Sequence, residues 1–262
     1  FEIHHQTHAA QVVEIQERIV HLHKLARDAW VNTLKHKFAF INAKRFSELL
    51  QAAIAKVGAA EYSLAFLKAE WEAIVNFWGI GDEETYLGAS RKGRGTRLTA
   101  RQRRVVWRVF AELLAVLEEK YYMTWERLCF RLAAELIERP PSYRHVVGDE
   151  AQDFGPAEFR LLRALVAPGD NDLFLCGDAG QRIYQPRSSW RAAGIEVRGR
   201  ATRLTVNYRT TEQIRRFADT LLPAALDEDG DGKPEPRASI SLLKGPPPEV
   251  SGYATVEEEI AG

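Results

Sequence analysis

The sequence predicts a mixed α/β protein in which an all-helical first half precedes a parallel-sheet portion. Two observations predict it. From His8 to Glu138, apolar residues recur at helical spacing in one stretch after another. After Pro140-Pro141, two short apolar runs, Arg144–Val147 and Leu173–Cys176, each end at an acidic residue, with a helical pattern over Pro156–Val166 between them. Strand, helix, strand with acidic strand ends is the arrangement of a parallel sheet, whose ligands bind beyond the carboxyl ends of the strands.

Taken in order, Val12, Ile15, Ile19, Leu22, Leu25 and Ala26 share one face of a helix expected over His8–Lys37. Further helices are expected over Ala43–Val57, Glu61–Trp78, Thr99–Glu119 and Met123–Glu138, separated by glycines and a basic stretch. Trp71, Trp78, Trp107 and Trp125 lie on these patterns and read as core residues. Beyond the strand–helix–strand unit, Arg203–Val206 reads as a strand and Thr211–Leu222 as a helix. Asp227–Pro248, rich in Asp, Gly and Pro, reads as a loop. Its start, Asp227-Glu228-Asp229-Gly230-Asp231-Gly232, imitates a calcium loop, but Ala238 stands where a bidentate glutamate is needed, and Pro234 and Pro236 interrupt the helix that such a loop requires after it.

At 262 residues and 45% hydrophobic, the chain can bury an ordinary core, which excludes overall disorder. Its formal net charge is +0, so any attraction for a polyanion must come from local clustering. One such cluster exists: between Arg91 and Arg108 there are eight Lys/Arg residues and no Asp or Glu. Cys129 and Cys176 lie far apart among apolar neighbours and read as buried, reduced thiols. No apolar run of membrane-spanning length and no leader pattern is present, so a cytoplasmic, non-membrane protein is expected.

The chemistry concentrates after Pro141. Asp149-Glu150-Ala151-Gln152-Asp153 comes directly after the apolar run His145-Val146-Val147 and Gly148. At a strand end, one carboxylate can hold Mg2+ through water while its neighbour orients or deprotonates the water that attacks a γ-phosphate. An isolated acidic pair is more often a solvated turn. Here the pattern repeats: Leu173–Cys176 leads into Gly177-Asp178-Ala179-Gly180-Gln181-Arg182-Ile183-Tyr184, and Leu204-Thr205-Val206-Asn207-Tyr208-Arg209-Thr210-Thr211 comes next.

The ordered trio DEAQD, GDAGQRIYQ and LTVNYRTT resembles motifs II, III and IV of the UvrD/Rep-type superfamily 1 DNA helicases. The helical half, with Glu70-Trp71, Asn76–Ile80, Tyr86-Leu87 and Gly93–Leu98, is similar to the helical subdomain inserted before motif II in that family. The resemblance implies a RecA-like P-loop NTPase sheet carrying a large all-helical insert. It divides the chain into a DNA-contacting helical subdomain (1–139), the second part of the first motor domain (140–206) and the start of the second (207–262). ATP and Mg2+ are the implied cofactors, and single-stranded DNA and duplex junctions the implied partners, with repair or recombination proteins as further partners. By the same resemblance Asp149 associates with the metal, Glu150 is the catalytic base, and Gln181 contacts the γ-phosphate and the attacking water. Tyr184 faces single-stranded DNA, Tyr208 stacks on adenine and Arg209 is the arginine finger. Arg91, Lys92, Arg94 and Arg97 are the expected phosphate contacts.

The chain departs from the family pattern at Gly148 and Gly180, and Pro186 replaces a common tryptophan, leaving Trp190 as the nearest indole. It contains no Gly-x-x-x-x-Gly-Lys-Ser/Thr run, the loop whose amides cradle phosphates. That loop is expected upstream in a longer protein, and the chain alone is expected to be inactive. The alternative is a catalytically incomplete nucleic-acid- or protein-binding module of helicase ancestry. An unrelated α/β hydrolase using the acidic pair leaves Asn207-Tyr208-Arg209 without explanation.

Overall fold

Side-chain caps open most of the described α-helices. In the computed structural model, which describes residues 20–35, 37–181, 190–197, 199–221, 225–226, 235–236 and 239–261, the chain forms two compact units, Phe1–Lys37 and Phe38–Gly262. The first contains α1 (Leu22–Leu34), which stops where Lys35 enters the left-handed region at φ 55°. The expected helical residues before 20 lie outside the described residues.

In the second unit, β1 (Ala39–Phe40) leads into α2 (Ala43–Val57), where the Asn42 side chain accepts from the Arg45 N–H and Gly58, at φ 72°, ends the helix. The stretch expected as one helix over Glu61–Trp78 is two pieces: Ser63 caps α3 (Leu64–Glu70), which continues as a π-helical turn, Trp71–Asn76. Asp82 caps a short helix that the spacing did not reveal, α4 (Glu83–Gly88). A Thr99–Gln102 capping box opens α5 (Ala100–Glu119). Next, β2 (Tyr122–Met123) pairs in parallel with β1, and Thr124 caps α6 (Trp125–Ile137), so Met123 belongs to a strand and not to the helix expected from it.

α2 packs on α5, and the core between these helices holds Phe46, Leu50, Leu67, Trp71, Phe110 and Leu113. Trp71 tilts against Phe46 and meets Phe110 edge-on, at 5.5 and 5.7 Å between ring centroids, and the Tyr86 ring stacks on Trp107. Trp71 and Trp107 are buried core residues.

A charged cluster is sealed into this helical region. Glu70, fully buried, accepts two hydrogen bonds from Arg91, at 2.6 and 2.9 Å, one from Arg94 at 3.2 Å and one from the Tyr86 hydroxyl at 3.0 Å. Burial pushes the Glu70 carboxyl up, but the Arg91 contacts, Tyr86 and Arg94 outweigh it, so the group sits below its ordinary value. A carboxyl depressed in the folded state stabilises the protein fully above its ordinary value of 4.5, and that stabilisation is lost as pH falls through the lower folded value. Glu70→Leu leaves two arginines without their acceptor and is expected to cost about 3–5 kcal/mol, read as a lower urea midpoint. An unchanged midpoint would show that the cluster contributes nothing net.

The α/β portion consists of β3 (Val146–Gly148), α7 (Pro156–Leu165) and β4 (Leu173–Leu175), the parallel strand–helix–strand unit the sequence predicts. Val146 aligns with Leu173, Val147 with Phe174 and Gly148 with Leu175. α6 packs along α7. There the Trp125 indole N–H donates to Glu158, whose other oxygen accepts from the Gly155 N–H at the start of α7. Asp172, buried at the start of β4, is held by Arg163, Arg200 and the N–H groups of Gly169 and Leu173.

The last portion corrects the expected boundaries. The strand expected over Arg203–Val206 is β5 (Val206–Thr211), and Thr211 caps α8 (Glu212–Asp219). β6 (Ala225–Leu226) pairs antiparallel with β7 (Glu235–Pro236), and β8 (Ile240–Leu243) pairs in parallel with β5. Two strands thus lie within the stretch read as a loop. The calcium-like run at 227–232 lies outside the described residues. Glu212 anchors α8 to β8 by accepting from the Ser241 N–H, and it pairs with Arg215 and Arg216. The Arg215 contact first and the Ser241 N–H second bring its carboxyl down to about 2. A final helix, α9, spans Val256–Ala261. Among the described residues no helix is long and apolar enough to cross a membrane.

Candidate active site

β3 ends at Gly148, and a side chain there has no room: a Cβ would lie 2.8 Å from Leu175 Cδ2 and 3.5 Å from Phe154 Cε2. Leu175, the register partner on β4, occupies the space that an apolar residue at 148 would take. Gly148 is therefore a packing exchange and leaves the strand end intact. Beyond it the backbone reverses sharply. Glu150 adopts φ 52°, the left-handed region that a residue with a Cβ enters at a cost, and a single 3-10 turn, Ala151–Asp153, leads to α7. The reversal leaves the Asp149 and Glu150 side chains exposed at the carboxyl end of β3.

Asp149 Oδ1 accepts from the Glu150 N–H at 2.9 Å and from the Cys176 thiol at 3.2 Å. The thiol contact first and the backbone N–H second hold this carboxyl below its ordinary value. The same contact, then burial and the charges of Asp149 and Glu150, push the Cys176 thiol up, so it stays protonated as a donor. Cys176 is exposed, contrary to the expected buried thiol, whereas Cys129 is buried in α6.

The second strand end stands beside the first. Cys176 N–H donates to Gly148 O at 2.9 Å, and Ala151 N–H donates to Cys176 O at 2.8 Å. Asp178 organises the next turn: Oδ1 accepts from the Gly180 N–H at 2.8 Å, Oδ2 from the Gln181 side-chain amide at 3.0 Å, and its carbonyl from the Gln181 N–H at 3.0 Å. Gln181 is exposed at this end of the sheet. Residue-by-residue reading of the motifs overlooked Gln152, which is buried and joins the two turns. Its Nε2 donates to Glu150 Oε2 at 2.6 Å, and its Oε1 accepts from the Asp178 N–H at 3.0 Å. The available signal was an amide placed among three carboxylates directly after a strand. Tyr184 lies outside the described residues. Trp190, the nearest indole, is half-buried and packs on Phe159 at 5.1 Å between centroids, against the core.

Tyr208 and Arg209 lie on β5, which pairs with β8, whereas Asp149, Glu150 and Gln181 lie in the turns after β3 and β4, and no hydrogen bond or ion pair among the described residues links the two groups. Asn207 shapes the local backbone, its Oδ1 accepting from the N–H groups of Arg209 at 2.8 Å and Thr210 at 3.1 Å. The Tyr208 ring is 72% exposed. The Arg209 guanidinium is exposed and forms no ion pair among the described residues.

The four basic residues expected at phosphates divide. Arg91 is nearly buried on Glu70 and donates to Thr96 O at 2.8 Å, and Arg94 also binds Glu70. Both hold the loop together through Glu70, whose single carboxylate offsets only one of the two positive charges. Lys92 and Arg97 belong to the same loop and do not bind Glu70; Lys92 is exposed, as are Arg101, Arg104 and Arg108, which recur at helical spacing along one side of α5.

Residues 89–203 match the UvrD/REP helicase N-terminal domain. The matched stretch contains the basic loop, Asp149, Glu150, Gln152 and Gln181, and it ends before Asn207. A protein of Acanthamoeba polyphaga mimivirus named "Putative ATP-dependent DNA helicase R568" is 32% identical over 99 residues, covering 37% of this chain and 14% of that protein. The match thus spans a small part of the relative's length.

Proposed function

We propose that this chain, which carries a UvrD-type helicase segment, supplies part of the ATP-hydrolysing motor of a longer DNA helicase, where hydrolysis drives movement along single-stranded DNA and duplex opening. The observation that carries the reading is the side-by-side placement of the Asp149–Glu150 turn and the Asp178–Gln181 turn at the carboxyl ends of two parallel strands. Asp149 would associate with Mg2+: Oδ1 is taken by two donors, while Oδ2 has no hydrogen bond among the described residues and belongs to an exposed side chain. A single carboxylate with a retained water shell is a normal magnesium arrangement. When bound, Mg2+ supplies charge neutralisation on the β- and γ-phosphates of ATP.

In this reading Glu150 accepts the proton of the attacking water, Gln181 contacts that water and the γ-phosphate without changing the charge, and Arg209 stabilises the γ-phosphate. Tyr208, an exposed ring, stacks on adenine, and Tyr184 contacts single-stranded DNA. Residues 140–206 form part of a RecA-like P-loop NTPase domain, 207–262 the start of a second, and 1–139 an inserted helical subdomain. The register partners Val147 and Phe174 leave apolar surface exposed on the β3–β4 sheet, a face that parallel sheets cover in complete α/β domains. The longer protein is tested by ATP hydrolysis and strand separation with Mg2+ and single-stranded or forked DNA. Absence of both activities sinks the reading.

Lys92 and Arg97, together with the arginines along α5, form the proposed backbone-contacting surface. Binding of single-stranded DNA is expected to weaken in Lys92→Ala and Arg97→Ala variants, and each lost contact should flatten the dependence of log affinity on log salt by about 0.7. Fluorescence anisotropy across a salt series checks this; an unchanged slope removes both residues from the interface.

A further inference from the structure

The two turns of the proposed site are joined through one buried side chain. Gln152 uses both ends of its amide, donating to Glu150 Oε2 at 2.6 Å and accepting from the Asp178 N–H at 3.0 Å. Asp178 then accepts from the Gln181 side chain at 3.0 Å. Glu150, Gln152, Asp178 and Gln181 form a continuous hydrogen-bonded run from one strand end to the next. The run needs a glycine at 177, where a Cβ would stand 2.4 Å from Gln152 Oε1, 2.9 Å from Gln152 N and 3.0 Å from Ala151 N.

We infer that Gln152 is a positioning residue for hydrolysis: it fixes the exposed Glu150 carboxylate and ties it to the Asp178–Gln181 turn. The inference rests on the roles proposed for Glu150 and Gln181. Only a side chain with both a donor and an acceptor can bridge a carboxylate to a backbone N–H. Because the amide is neutral, it orients Glu150 without adding charge beside the nucleotide phosphates. Its donation to Oε2 leaves Oε1 for the attacking water. A displacement of Glu150 by about 1 Å would cost on the order of 10²-fold in rate.

Two variants separate the two ends of the bridge. Gln152→Glu keeps the acceptor for Asp178 but loses the donor and sets a like charge against Glu150. Gln152→Met keeps similar volume and loses both. In this chain, hydrogen exchange of the Asp178 amide should stay slow in Gln152→Glu and quicken about tenfold in Gln152→Met. In the longer protein, kcat for Mg2+- and DNA-dependent ATP hydrolysis should fall about 10²-fold in both variants while KM for ATP holds within about threefold. Adding Gln152→Glu to Glu150→Gln should cause no further loss, whereas a purely structural role would lower stability and add to it. Wild-type kcat in Gln152→Met, unaltered Asp178 exchange in that variant, or additive losses would overturn the inference. Should Glu150→Gln itself leave hydrolysis unchanged, the role of Glu150 is what fails, and exchange at Asp178 still reports whether the bridge exists.

Discussion

Replacing Arg209 with alanine is expected to lower DNA-stimulated ATP hydrolysis by the longer protein about 10³- to 10⁵-fold, the range an arginine finger supplies in phosphoryl transfer. Asn207 fixes the Arg209 backbone while the guanidinium stays exposed and without an ion pair among the described residues, so its charge is not already neutralised by this fold. The same exposure predicts that the substitution shifts stability by no more than about 0.5 kcal/mol, which separates a catalytic loss from unfolding. Arg209→Lys keeps the charge but not the planar fork and should recover only part of the rate. A loss below about tenfold in the alanine variant, with saturating ATP and DNA, would make Arg209 an ordinary surface residue of β5.

Glu150→Gln should reduce hydrolysis about 10²- to 10⁴-fold, the contribution of a positioned general base. The variant is close to isosteric, and the left-handed backbone at 150 is equally costly for either residue, so the turn should survive. ATP binding is expected to persist, because the change removes a proton acceptor and not a phosphate ligand. Hydrolysis at the wild-type rate would show that the attacking water is activated elsewhere.

Much of this architecture was legible because local chemistry and packing agree. α2 has the bounds its pattern predicts, since Asn42 and Gly58 supply both a start and a stop. The strand–helix–strand unit was visible because apolar runs and acidic ends coincide. Other features were hidden for physical reasons. The π turn at Trp71–Asn76 lies inside a continuous helical pattern, so periodicity cannot display it. β5 carries Asn, Tyr, Arg and Thr on a partly exposed pair of strands and lacks the apolar run of a buried one, while its partner β8 comes after a segment rich in Gly and Pro. The contacts of Arg91 and Arg94 with Glu70 were hidden because that carboxylate lies on α3, more than twenty positions earlier than their loop. Gln152 was obscured by the two acids before it, although its hydrogen bonds join them to the second turn.

The Asp149–Glu150 and Asp178–Gln181 turns are proposed as half of an ATP-hydrolysing site, and the sequence contains no phosphate loop to complete it. This is tested most directly by Mg2+-dependent ATP hydrolysis, with and without single-stranded DNA, by this chain and by a longer version that carries a phosphate loop. DNA-stimulated hydrolysis is expected in the longer protein alone. Hydrolysis by this chain that depends on Glu150, or silence in both, would contradict it.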